Sequence, residues 1–248
     1  MSVPLLELLE CPTCRSSGLV AEDGALACPS CAARYGIENG IASFHPGRDA
    51  YTENYDQIAA DDLVEPKTPS IVKEIFVELV LERVRGVVCD LGCGDGYVIR
   101  RVPSDRRIAV DIARAYLERI PPEILRLWSG VEDVPLASGS VDTIVCTDVI
   151  EHVLDATTVA REIDRLCAPD GRILLAFPFE QDLGVYDLPE YKAKYGKYAF
   201  VHLRSIGDAM IAELFPGFEV VAERLITEGM HLMEFRPFAI KFVELRRR

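Results

Sequence analysis

Apolar positions along the chain cluster into short runs, at residues 87–91, 108–110, 124–127, 143–146 and 173–177, with amphipathic stretches between them. Runs of this length, bounded by polar or glycine-containing segments, predict buried strands. Residues 155–167 instead space Val159, Ile163 and Leu166 onto one helical face. Ahead of the first run, Thr68 and Pro69 make a helix start, and Ile71, Val72, Ile75, Phe76, Leu79 and Val80 share a face until Gly86 ends the helix. Strands alternating with helices predict a parallel α/β sheet. Past Phe177 the order changes to a long loop, a helix near 205–215, and strands near 218–226 and 238–245. Two late strands with no clear helix between them predict an antiparallel edge hairpin.

The N-terminal stretch follows neither period. It has few large apolar side chains and carries Cys11 and Cys14 as C-P-T-C, a 13-residue spacer, then Cys28 and Cys31 as C-P-S-C. Two such knuckles let four thiolates converge on one zinc ion, with Gly18 and Gly24 supplying turns between them. Disulfides or redox dithiols are the alternative, which a reducing compartment disfavours. With all four thiolates used as ligands, no open position is left for chemistry, so a zinc here is structural. Cys89, Cys146 and Cys167 sit at unrelated spacings and read as small buried hydrophobes.

Composition narrows the class. The 248 residues carry 27 Lys plus Arg against 40 Asp plus Glu, a net charge of −13. That balance weighs against a phosphate-backbone partner without excluding one, since a basic patch can hide in an acidic total. Residues 51–82 hold eight acids against Lys67 and Lys73, whereas residues 191–204 hold no acid. No apolar run approaches a membrane span, and the first residues lack the pattern of a signal peptide. A cytoplasmic location is the expectation.

The strongest chemical signal follows the first predicted strand, in V-V-C-D-L-G-C-G-D-G-Y. Gly92, Gly94 and Gly96 let the backbone turn sharply and approach a ligand at the strand's carboxyl end. The G-x-G-x-G spacing differs from the dinucleotide fingerprint. Asp90 precedes the glycines, where a carboxylate suits an ammonium group. Asp111 closes the next strand about twenty residues on, where a ribose-binding acid belongs in such folds.

Two resemblances sharpen this reading. On L-L-E-L-L-E-C-P-T-C and Y-G-I-E-N-G-I-A-S-F, residues 3–44 resemble the small zinc-ribbon protein that activates tRNA and translation-factor methyltransferases, which implies a module that packs on a methyltransferase domain. Residues 87–179 resemble the class I S-adenosylmethionine methyltransferases, in the branch with the quinone-biosynthesis and small-molecule enzymes. The matching motifs are D-L-G-C-G-D-G, the Asp111 position, V-E-D-V-P-L, S-V-D-T-I-V-C-T-D-V-I-E-H-V and L-C-A-P-D-G-R-I-L-L. The resemblance implies a Rossmann-like α/β fold: a mostly parallel seven-stranded sheet with an antiparallel edge strand. It implies that Gly92 and Gly94 line the methionine part of the cofactor, that Asp90 orders that loop, and that Asp111 binds both ribose hydroxyls. Asp148 would flank the same pocket. The family's adenine-binding Asp is replaced by Gly130, so that contact falls to backbone at Val131 and Glu132, or to Asp133. The organisation expected is a zinc ribbon over 1–44, a linker with a short helix at 51–60 over 45–67, and a methyltransferase domain over 68–248.

Acceptor chemistry is less marked. Methyl transfer from a sulfonium depends mainly on positioning, and a hydroxyl acceptor also gains from a general base. His152, beside Asp148 and Glu151, and His202, after the variable loop, are the candidate bases; His152 could equally brace the pocket. His45 and His231 have no motif and read as surface or packing residues. Residues 179–205 form a candidate lid in which Tyr186, Tyr191, Tyr195, Tyr198 and Phe200 interleave with Lys192, Lys194, Lys197 and Arg204. Such a lid suits a sugar or aryl ring and an anionic group. The leading expectation is O-methylation of a small-molecule or saccharide-type acceptor. An RNA methyltransferase is the alternative, and a methyltransferase-like binding subunit without turnover is a third.

Overall fold

The computed structural model describes residues 5–45, 47, 49–61, 71–179, 183–195, 202–228 and 239–248. After a 3-10 turn at Leu6–Leu8, four short strands form an antiparallel ribbon: β1 (Val20–Glu22), β2 (Ala25–Ala27), β3 (Arg34–Glu38) and β4 (Ile41–Ser43). Asp23 and Gly24 join β1 to β2 with both φ angles positive, the two-residue turn that matches strand twist. The chain then runs through α1 (Ala50–Ala60), α2 (Ile71–Leu81), β5 (Val88–Leu91), β6 (Arg107–Asp111), α3 (Arg114–Leu117), β7 (Leu125–Trp128) and β8 (Val141–Thr147). It continues through α4 (Ala156–Leu166), β9 (Cys167–Phe179), α5 (Pro189–Tyr195), α6 (Asp208–Leu214), β10 (Phe218–Ile226) and β11 (Ala239–Arg247).

The predicted alternation is therefore present, and α1 is the short helix expected in the linker. Asp49 starts α1 by accepting from the Thr52 amide at 2.8 Å, and Asp155 starts α4 by accepting from Thr157 and Thr158. The helix start expected at Thr68 and Pro69 lies outside the described residues, as do His231, Lys197, Tyr198 and Phe200.

Among the described residues, all strands join one sheet, in the order β1-β2-β3-β4-β7-β6-β5-β8-β9-β11-β10. Strands β4 to β9 pair in parallel across the centre, and β11 runs antiparallel to both β9 and β10. The late hairpin thus places its antiparallel strand one position in from the edge, and β10 forms the rim. At the other side, β4 lies parallel to β7 with Ile41, Ala42 and Ser43 opposite Arg126, Leu127 and Trp128. The ribbon continues the central sheet; it does not stand apart from it.

Both faces of the sheet are covered, as near-continuous apolar strands require. Cys89, Leu91, Ile108, Val110, Ile144 and Cys146 face one core with Val159, Ile163 and Leu166 of α4. Val88, Ala109, Val145 and Leu174 face the other with Val72, Phe76 and Val80 of α2. Leu9, Leu19 and Leu26 of the ribbon belong to the first core. Among the described residues, no helix is long and apolar enough to cross a membrane.

Candidate cofactor pocket and metal centre

Strand β5 is flanked by β6 on one side and β8 on the other, so the chain leaves its carboxyl end at a point where the strand order reverses, the usual ligand crevice of an open α/β sheet. A cavity of about 250 Å³ opens there. Its wall includes Asp90, Gly92 and Gly94 after β5, Asp111 at the end of β6, Gly130, Val131 and Glu132 after β7, and Asp148, Val149 and His152 after β8. Gly92 takes φ +68, and a Cβ there would stand 2.4 Å from Val149 Cγ2, so this turn admits no larger residue without rearrangement. Asp148 also takes a left-handed φ of 50, which holds the turn after β8 against the pocket.

The electrostatics centre on two buried acids. Asp111 accepts from the Gly94 amide at 2.8 Å and from the Ala113 amide at 2.7 Å, tying the glycine turn to β6. Burial nevertheless pushes its carboxyl up to about 6. Asp90 is 1% exposed. Burial, and then the charge of Asp111, push it up to about 8. Its Oδ1 has no hydrogen-bond partner among the described residues. A buried acceptor in that state is matched by a cation. An ammonium and a sulfonium on one ligand fit this donor set.

Every pocket residue expected from the sequence lies on one cavity: Asp90, Gly92, Gly94, Asp111, Val131, Glu132, Asp148 and His152. A Cβ at Gly130 would stand 2.6 Å from Glu132 Oε2, so the Glu132 carboxylate occupies the space an aspartate at 130 would need. Asp133 is instead paired with Arg15 of the ribbon. His202 stands behind His152, ring centroids 4.8 Å apart and edge to face. His45 packs, stacking on Trp128 at 5.5 Å and reaching Thr52 Oγ1 at 3.2 Å.

Two residues escaped the sequence reading. Tyr51 and Tyr55 of α1 line the cavity, with ring centroids 4.9 Å apart, and burial raises both phenols. The resemblance implies that residues 51–82 sit near the cofactor mouth, where α1 lies, but it does not single out these two rings; their spacing of four along a helix was the available signal.

The four N-terminal sulfurs also converge. All four Sγ atoms lie within 4.8 Å of one another, with Cys11–Cys31 and Cys14–Cys28 both at 3.6 Å. Thiolates bound ~2.3 Å from a central zinc stand roughly 3.8 Å apart, so the cluster is of the right size for that ion. Ser16 Oγ lies 3.2 Å from Cys28 Sγ and pulls that thiol down to about 6. The ribbon is clamped to the loop after β7: Glu10 donates to the Pro135 carbonyl at 3.0 Å, and Ala137 donates to the Leu8 carbonyl at 2.9 Å.

Comparison with known proteins places this geometry. Residues 89–175 match the family described as "Methyltransferase domain". The chain is 27% identical over 183 residues to a malonyl-[acyl-carrier protein] O-methyltransferase of Halorhodospira halophila, covering 66% of this chain and 58% of that protein. It is 24% identical to a ubiquinone biosynthesis O-methyltransferase of Vibrio campbellii, covering 42% and 51%. The chain thus spans little more than half the length of these relatives. Among solved structures, a chain from the complex of the Haloferax volcanii Trm112 methyltransferase activator with a methyltransferase superposes with a TM-score of 0.62 at 16% identity, covering 80% of this chain and 97% of that one. An S-adenosylmethionine-dependent methyltransferase from Mesorhizobium loti gives 0.55 at 17%, covering 72% and 99%. The strand order and the glycine turn agree with the family match over residues 89–175, and the chain has the Rossmann-like α/β fold seen in methyltransferases.

Proposed function

We propose that the protein methylates a hydroxyl of a small-molecule or saccharide-type acceptor, using S-adenosylmethionine held between β5, β6 and β7. The observation that carries the reading is the buried pair Asp90 and Asp111 beside the glycine turn. When bound, the cofactor supplies an activated methyl group on a sulfonium. Gly92 and Gly94 would line its methionine part, with Asp90 facing the ammonium. Asp111 would accept from the ribose hydroxyls. Glu132 and the Val131 backbone would meet the adenine edge, and Asp148 would flank the sulfur side. His152 on the cavity wall, backed by His202, is placed to take the acceptor proton. Oxygen as the acceptor atom is supported by the O-methyltransferases among the relatives, and an anionic or ring-bearing acceptor by the aromatic and basic residues of the 179–205 segment.

Asp111→Ala should weaken binding of S-adenosylmethionine by at least about 10-fold in calorimetry, since it removes a charged acceptor from a buried site. Unchanged affinity would sink this assignment, and no binding by the unaltered protein would sink the enzyme reading altogether. An RNA acceptor is the second reading, favoured by the acid-free stretch 191–204; tight, salt-dependent RNA binding would establish it. We further infer that Cys11, Cys14, Cys28 and Cys31 hold a structural zinc, on the size of their cluster.

A further inference from the structure

A second group of metal-ligating side chains lies on the acceptor side of the pocket. One donor atom from each of Glu151, His152 and His202 falls within 4.8 Å of the other two. Glu151 is 1% exposed, and the histidines are half-buried. The three come from two separate segments that are fastened together. The Leu203 amide donates to the Glu151 carbonyl at 2.8 Å, and Arg204 Nη1 donates to the Ile150 carbonyl at 2.6 Å. His202 is therefore held against the turn after β8 by its own neighbours. Donors ~2.1 Å from a shared ion stand roughly 3 to 3.5 Å apart, so small side-chain rotations bring all three into range. The surroundings favour a cation. Asp90, Asp111, Glu132 and Asp148 line the adjoining cavity, and Lys73 is the one lysine or arginine among its described lining.

We propose that Glu151, His152 and His202 form a divalent transition-metal site beside the cofactor pocket, distinct from the four-cysteine cluster. Two imidazoles and one carboxylate leave coordination positions open and suit a borderline ion such as zinc, iron(II) or cobalt(II). With the ion bound, His152 and His202 act as ligands, in place of the base role given to His152. An acceptor hydroxyl at an open position would then lose its proton to solvent more readily, leaving the oxygen anionic. That role rests on the O-methylation reading, whereas binding of the ion does not.

Titration of the metal-free full chain with cobalt(II) separates the two. The expected result is two ions per chain, of which only one shows the thiolate-to-cobalt charge-transfer band of the cysteine cluster. His202→Ala should weaken the second site by about 100-fold or more, beyond what loss of an outer partner costs, and leave the charge-transfer band intact as proof of folding. His152→Ala serves as the second variant should the first lose that band. One ion per chain in the unaltered protein, or two ions retained at full affinity in folded variants, would overturn the site. Two ions without methylation of any hydroxyl compound would leave the metal site standing and count against the acceptor reading alone.

Discussion

Asp90 and Asp111 are buried acids in the cavity wall, and their protonation links the pocket to pH. Free carboxyls titrate near 4, but in the fold these two hold their protons until about 8 and about 6. The folded chain without cofactor therefore binds more protons than the unfolded chain across that interval. Its stability from these groups is full below pH ~4 and is lost as pH rises through 6 and then 8. A cationic cofactor reverses the preference by pairing with the charged forms. Its affinity should rise between pH 6 and 8, with proton release that calorimetry in buffers of different ionisation enthalpy detects. Affinity that is flat across this interval would mean that neither acid changes state on binding. The sequence showed that these acids belong together, because each closes a strand in register with the glycine turn. It did not show Glu132 taking the space over Gly130, which depends on how the turn after β7 folds back.

The strands of the central sheet were readable because each is a short apolar run bounded by breakers, and α4 because Val159, Ile163 and Leu166 recur at helical spacing. The pairing of β4 with β7 was not readable. It joins segments some eighty residues apart, and each strand reads locally as any short apolar run. What holds this joint is a polar side chain that an apolar pattern ignores. Arg126 of β7 is buried, donating to the Asn39 carbonyl at 2.6 Å and to the Ile120 carbonyl at 3.1 Å. The joint continues past β4, where Phe44 and His45 donate to the Trp128 carbonyl at 2.9 and 3.0 Å. Arg126→Ala leaves the carbonyl of buried Ile120 short of a donor and removes the link to Asn39, and should cost about 1–3 kcal/mol in denaturant unfolding. A loss below about 0.5 kcal/mol, the level of an ordinary surface substitution, would show that the strand pairing alone carries the joint.

At the scale of the whole molecule, the four-cysteine ribbon and the central sheet share one hydrophobic core, so the proposed zinc acts on more than its own module. Residues 8–15 clamp residues 133–137, which follow the Val131 and Glu132 wall of the pocket. Cys11→Ser should lower the melting temperature by about 5–10 °C and weaken cofactor binding with it. A loss of melting temperature with unchanged cofactor affinity would show the clamp to be passive. The covalent connection between β4 and the rest of the chain adds a consequence of its own. Because the ribbon is covalently joined to the chain that supplies the strand it covers, its docking is unimolecular and carries a high effective concentration. Dilution cannot strip it away. A single backbone cut in the segment after β4 would turn the same contacts into a two-body equilibrium, in which the exposed rim of β7 is covered only as far as the concentration of the freed fragment allows.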